Sequence, residues 1–180
     1  KVLGRARFIH DQALAGMLHG RVLRPENARA KLLELREVGA RAVAGLVAIV
    51  RDGSFAGVVS ETEHGAESAL NALRKGARWS DGEPLFDEND LASFLKTQPA
   101  ESTVINQRTA ASSGAVSRTI KRQYTRPYIA HASIAPSCAM AQWSGDRLHV
   151  WTHSQGVYLL RADLALVLKL PVENITVEHM

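Results

Sequence analysis

Val150-Trp-Thr-His-Ser-Gln-Gly-Val-Tyr158, followed by Leu164-Ala-Leu-Val-Leu-Lys-Leu-Pro-Val-Glu-Asn-Ile-Thr-Val177, is the stretch whose reading decides the fold. The apolar run predicts a strand over Leu148–Thr152, and Ser154-Gln155-Gly156 breaks it. A helix opens at Gln155 or Gly156 and ends near Leu170, because Pro171 cannot continue it. Ile175–His179 then reads as a second strand. Gln155 therefore stands where a strand hands over to a helix, a place that presents a side-chain amide to a ligand.

Working back from this unit, Ser144-Gly145-Asp146 reads as a hairpin turn. The alternating stretches Val116–Thr125 and His131–Ala141 read as strands before it. Gln98–Gly114 is polar and reads as an extended linker. Asp87–Lys96 is predicted as a short helix with Leu91, Phe94 and Leu95 inward. Glu61–Trp79 carries the clearest helical signal. Ala66, Ala69, Leu70 and Leu73 form an apolar stripe, and Ser60 with Glu63 has the spacing of a capping box. Nearer the start, Val2–Ile9, Met17–Leu23, Arg29–Leu35, Leu46–Val50 and Ala56–Ser60 are expected strands. Glu37–Val43 is a short helix and Asp52-Gly53 a turn. No internal repeat or low-complexity tract interrupts this α+β order.

The 180 residues are 46% hydrophobic and 22% charged, enough for one core or two small ones and unlike a disordered chain. No apolar run approaches the roughly 18 residues that a membrane helix requires. No secretory signal is visible, since Lys1-Val2-Leu3-Gly4 leads straight into an apparent strand; without an initiator Met, a removed leader or an upstream domain stays open. With one cysteine, Cys138, an internal disulfide and paired-thiolate zinc sites are ruled out. The net charge is +4, with cations near Arg5, Arg7, Arg21 and Arg24 and again at Arg118, Lys121, Arg122 and Arg126. The second group lies near Tyr124 and Tyr128. It reads as a strand with outward charges; a non-catalytic assembly module binding nucleic acid or an acidic partner is the alternative.

His149 and His153 are four residues apart on an expected strand, with His131 and Cys138 on its neighbour; this scatter assigns no metal site. Nucleophilic catalysis has no Gly-x-Ser-x-Gly elbow, and the glycines are spaced for no nucleotide-binding loop. Asp52, Asp87, Glu88 and Asp90 read as turn and helix-start residues.

Several phrases in order resemble the molybdopterin-binding subunit of the molybdenum hydroxylases, the xanthine dehydrogenase and aldehyde oxidase family. They are Lys1-Val-Leu-Gly-Arg-Ala-Arg-Phe-Ile-His-Asp11, Leu14-Ala-Gly-Met-Leu-His-Gly-Arg-Val-Leu-Arg-Pro25, Leu46-Val-Ala-Ile-Val-Arg-Asp-Gly-Ser-Phe55 and the closing segment. The wording is most similar to the isoquinoline 1-oxidoreductase beta-subunit type. His131-Ala-Ser-Ile-Ala-Pro-Ser-Cys-Ala-Met-Ala141 resembles a family stretch too, with Ser133 where the family has an aromatic residue and Ala135 where it has glutamate.

The resemblance implies an αβ hammerhead domain over 1–78, a helix and linker over 79–114, and the start of a truncated molybdopterin-binding domain over 115–180. It implies that Gln155 donates a hydrogen bond toward the molybdenum centre and that Gly156 leaves room for the cofactor. The chain stops where the family next shows a Gly-rich cofactor loop, so an N-terminal fragment is expected. The whole enzyme would hydroxylate an N-heteroaromatic compound or an aldehyde with oxygen from water. Its partners would be an iron–sulfur small subunit, the remainder of its own subunit and a small-molecule substrate. The catalytic base would lie downstream, so the isolated chain is expected to hold no molybdopterin-type cofactor and to be inactive.

Overall fold

Gly53 turns the chain between two strands, β3 (Leu46–Asp52) and β4 (Phe55–Ser60), in a two-residue loop. Its φ of +55° suits a turn whose first central residue must be left-handed. The computed structural model describes residues 8–84, 86–107 and 117–180. With β1 (His19–Leu23), these strands form an antiparallel sheet in the order β1-β4-β3. Ala56, Val58 and Ser60 of β4 are buried on one face, next to Leu23 at the end of β1. On that face lies α2 (Glu63–Lys75), whose Ala66, Ala69 and Leu73 have no exposed surface. Small residues let the helix approach closely, and Leu73 fills the core with Leu23, Leu32, Val58 and Leu70.

A second antiparallel pair joins β2 (Leu32–Leu35) to β5 (Ala77–Trp79), with Leu32 opposite Trp79. The one-turn helix α1 (Val38–Arg41) packs on α2. Here the expected helix Glu61–Trp79 is corrected at both ends. Thr62, in extended backbone, is the N-cap, and its Oγ1 accepts a 3.0 Å bond from the Gly65 amide. Ser60 is held in β4 by pairing with His19 and Leu46, and it donates its hydroxyl to the Gly45 carbonyl at 2.8 Å. Residues 77–79 leave helical geometry because β2 offers their backbone a partner from far along the chain.

The short helix is also adjusted. Glu88–Asp90 forms a 3-10 turn leading into α3 (Leu91–Thr97). Leu91 is buried and Phe94 stacks on Phe86 at 4.2 Å, but Leu95 points outward.

The third sheet has the order β6-β7-β8. β6 (Ala139–Ser144) and β7 (Arg147–Thr152) form a hairpin around Gly145, φ +63°. β7 and β8 (Ile175–His179) are parallel, which requires a crossover, and α4 (Val157–Leu168) supplies it. Lys169 ends α4 in the left-handed region, φ 54°, just before Pro171. Leu148, Val150 and Ile175 form this sheet's core against Leu164, Ala165 and Leu170. The expected strand over Val116–Thr125 is absent from its described part, Ser117–Thr125, and the next strand begins at Ala139 rather than His131. Alternation in residues 117–138 supplies side-chain pattern but no neighbouring strand, so their backbone runs exposed and irregular. The expected strand Val2–Ile9 falls mostly outside the described residues, and its last residue opens a 3-10 turn, Ile9–Asp11.

Candidate functional site at the end of β7

β7 ends on Thr152, which is buried, and two hydroxyls fold the next residues into a tight step. Thr152 Oγ1 accepts the Ser154 amide at 3.2 Å, and Ser154 Oγ accepts the Gly156 amide at 3.3 Å. The Met180 amide donates to the Thr152 carbonyl at 2.9 Å, which ties the step to the end of β8. Gly156 is the N-cap of α4, and its carbonyl accepts the first helical bond, from Leu160, at 3.0 Å.

This local wiring leaves Gln155 at the crest. Its side chain is exposed and has no hydrogen-bond partner among the described residues. A Cβ built on Gly156 would meet nothing within 4 Å, so this chain's own packing does not demand a glycine there. No side chain caps the first amides of α4. The result is an open, uncharged donor surface: one carboxamide, one uncrowded backbone step, and helix amides carrying partial positive charge. Such a surface fits a polar, anionic group approaching along the strand axis.

The other singled-out side chains lie elsewhere. His149 stacks on Trp151 at 3.9 Å between ring centres, and its Nε2 is 3.2 Å from Glu178 Oε2 across the parallel pair. His153 lies one residue past β7 and is exposed, so the two imidazoles do not share a strand face. His131 is exposed in the irregular segment, beside Ala132 with φ 52°. Cys138 is a free, half-buried thiol. No group of three or more His, Cys, Asp or Glu that could hold a metal ion occurs among the described residues. Arg118, Lys121, Arg122 and Arg126 are exposed on irregular backbone, where Lys96 Nζ bonds Gln123.

Sequence reasoning missed the Thr152 hydroxyl, which anchors the step carrying Gln155. Its signal was a polar residue closing an apolar strand. It also missed the His149–Trp151–Glu178 group, which follows from the two-residue period of β7 once β8 is known to run parallel.

The family model described as "Molybdopterin cofactor-binding domain" matches residues 97–180. This match holds β6, β7, α4, β8 and the Gln155 step. The chain is homologous to molybdopterin-binding subunits of the xanthine dehydrogenase family. Over its full length, the chain is 35% identical to a nicotinate dehydrogenase subunit of Pseudomonas putida, covering 16% of that protein. It is also 35% identical to the aldehyde oxidoreductase molybdenum-binding subunit PaoC of Escherichia coli O157:H7, over 67% of the chain and 16% of the relative. The fold is shared with quinoline 2-oxidoreductase from Pseudomonas putida 86: TM-score 0.67 at 21% identity, over 98% of this chain and 28% of that one. The chain thus spans about a sixth of the length of the curated relatives it matches. No helix of the described residues is long and apolar enough to cross a membrane.

Proposed function

We propose that this chain is a stretch of a molybdenum hydroxylase large subunit, and that its Gln155 and Gly156 form part of the wall around the molybdenum cofactor. The exposed carboxamide of Gln155, unpartnered among the described residues, lies at the β7–α4 step inside the region matched by the cofactor-domain model and carries this reading. Gln155 donates a hydrogen bond without adding charge, so its role does not vary with pH. Gly156 keeps the backbone step free of a Cβ, and Thr152 and Ser154 hold that step in place. The cofactor, when bound, supplies the two-electron redox chemistry that these side chains lack.

The activity of the whole protein is hydroxylation of an N-heteroaromatic compound or an aldehyde with oxygen from water, a class supported by the names nicotinate dehydrogenase and aldehyde oxidoreductase. An iron–sulfur subunit accepts the electrons, and the catalytic base lies in the remainder of the large subunit. The isoquinoline-type subdivision belongs to the same proposal. In the same proposal residues 1–78 are the αβ hammerhead unit and residues 79–114 a helix and linker. Residues 115–180 open the cofactor domain.

The test is Gln155→Ala in the complete native enzyme. Turnover or molybdenum occupancy falls about 10- to 100-fold, the range for removing an outer partner of a metal centre. Unchanged turnover and unchanged molybdenum content would overturn the assignment of Gln155.

A further inference from the structure

The helix α4 is apolar on both of its faces. Its inner stripe, Leu164 and Ala165 among it, packs on Leu148, Val150 and Ile175. Its outer stripe holds Tyr158, Leu159, Ala162, Asp163, Leu166 and Val167. The exposures are 82% for Tyr158, 77% for Leu159, 79% for Leu166 and 74% for Val167. By contrast, α2 buries an equally apolar stripe but turns Glu67, Asn71, Arg74 and Lys75 outward. A helix hydrophobic all round is a buried helix. Of the two charged residues within α4, Arg161 is already engaged, donating to the Val172 carbonyl at 2.7 and 3.0 Å. Asp163 alone punctuates the outer stripe.

We infer that the outer stripe of α4 is the inner layer of a larger core, covered by another segment of the same, longer polypeptide. The covering surface is aliphatic, with one cation or hydrogen-bond donor opposite Asp163. This rests on reading the chain as a stretch of a larger subunit. Three observations choose this occupant. The curated relatives are about six times as long as the matched chain, so most of their residues lie beyond it. Among the described residues β8 pairs with β7 alone, so its other edge can take a further strand beside α4. A lipid bilayer is a poor occupant, because twelve residues of helix span about 18 Å and Asp163 sits mid-stripe.

The experiment uses the complete native enzyme with Leu159→Cys and Leu166→Cys, and Glu67→Cys on the polar face of α2 as the reference. Maleimide labelling is followed peptide by peptide, so Cys138 does not interfere. We expect the α4 positions to label roughly 100-fold more slowly than position 67 and at the same rate after denaturation. Equal native rates would overturn the inference. So would protection that disappears on dilution, since it would identify a second copy as the cover. Hydrogen exchange of the α4 amides in the unsubstituted enzyme decides the matter should a cysteine variant misfold: protection supports the inference and rapid exchange sinks it. Molybdenum content of the same sample separates the two proposals. Bound metal with fast labelling rejects the buried helix alone, whereas slow labelling without metal rejects the cofactor reading alone.

Discussion

A Cβ on Gly65 would lie 2.3 Å from the hydroxyl oxygen of Ser60, so the end of β4 and the first turn of α2 are in direct contact. That hydroxyl is fully buried and donates to the Gly45 carbonyl at 2.8 Å, which ties three chain segments at one point. Ser60→Ala removes one of two bonds to the Gly45 carbonyl, which keeps the Glu61 amide at 2.9 Å, and costs about 0.5–1.5 kcal/mol. Gly65→Ala forces the helix off the sheet and costs more than Ser60→Ala. The double variant, which removes the oxygen that the new methyl meets, recovers part of the loss. Denaturant melts of the three variants check this; additive losses would contradict it.

Thr62→Ala removes the side-chain cap of α2 without touching the core. We expect a loss of about 1 kcal/mol. Leu73→Ala, at a position with no exposed surface, opens a cavity under both β1 and β4 and costs about 2–5 kcal/mol. A smaller effect for Leu73 than for Thr62 in chemical denaturation would mean that the core is not where we place it.

Gln155→Ala separates function from stability. The side chain is exposed and has no partner among the described residues, so its loss leaves the melting temperature unchanged while turnover of the complete enzyme drops. Thr152→Val keeps the shape but deletes the hydroxyl that accepts the Ser154 amide. It lowers turnover through the position of Gln155 and also lowers stability. Equal melting shifts for the two variants would argue against this division.

Glu34 accepts hydrogen bonds from Arg36 and from Arg78, which hold its carboxyl below the usual carboxylate range. A depressed folded value stabilises the protein above the unfolded pKa, and the benefit is lost as pH falls through the folded one. The stability gap between the parent and Glu34→Gln is therefore present at neutral pH and closes under acid. Because the pair is exposed, added salt shrinks the gap as well. A gap that widened on acidification would refute the ion-pair account.

Residues with local causes were legible without coordinates. Gly53 and Gly145 mark their hairpins, Pro171 stops α4, and the stripe Ala66, Ala69, Leu70, Leu73 faces the core, because each depends on backbone geometry or period within a few residues. The order of strand, Gln155 step, helix and strand was readable for the same reason. Tertiary structure alone decided which hydroxyl caps α2, since Ser60 and Thr62 are equally suited by chemistry and strand pairing with His19 and Leu46 keeps Ser60 in β4. It also turned Ala77–Trp79 from helix into strand, left residues 117–138 without a partner strand, and set His149 against Glu178 rather than beside His153. Those outcomes depend on backbone groups supplied from distant parts of the chain, and a hydrogen bond across such a distance leaves no trace in local composition.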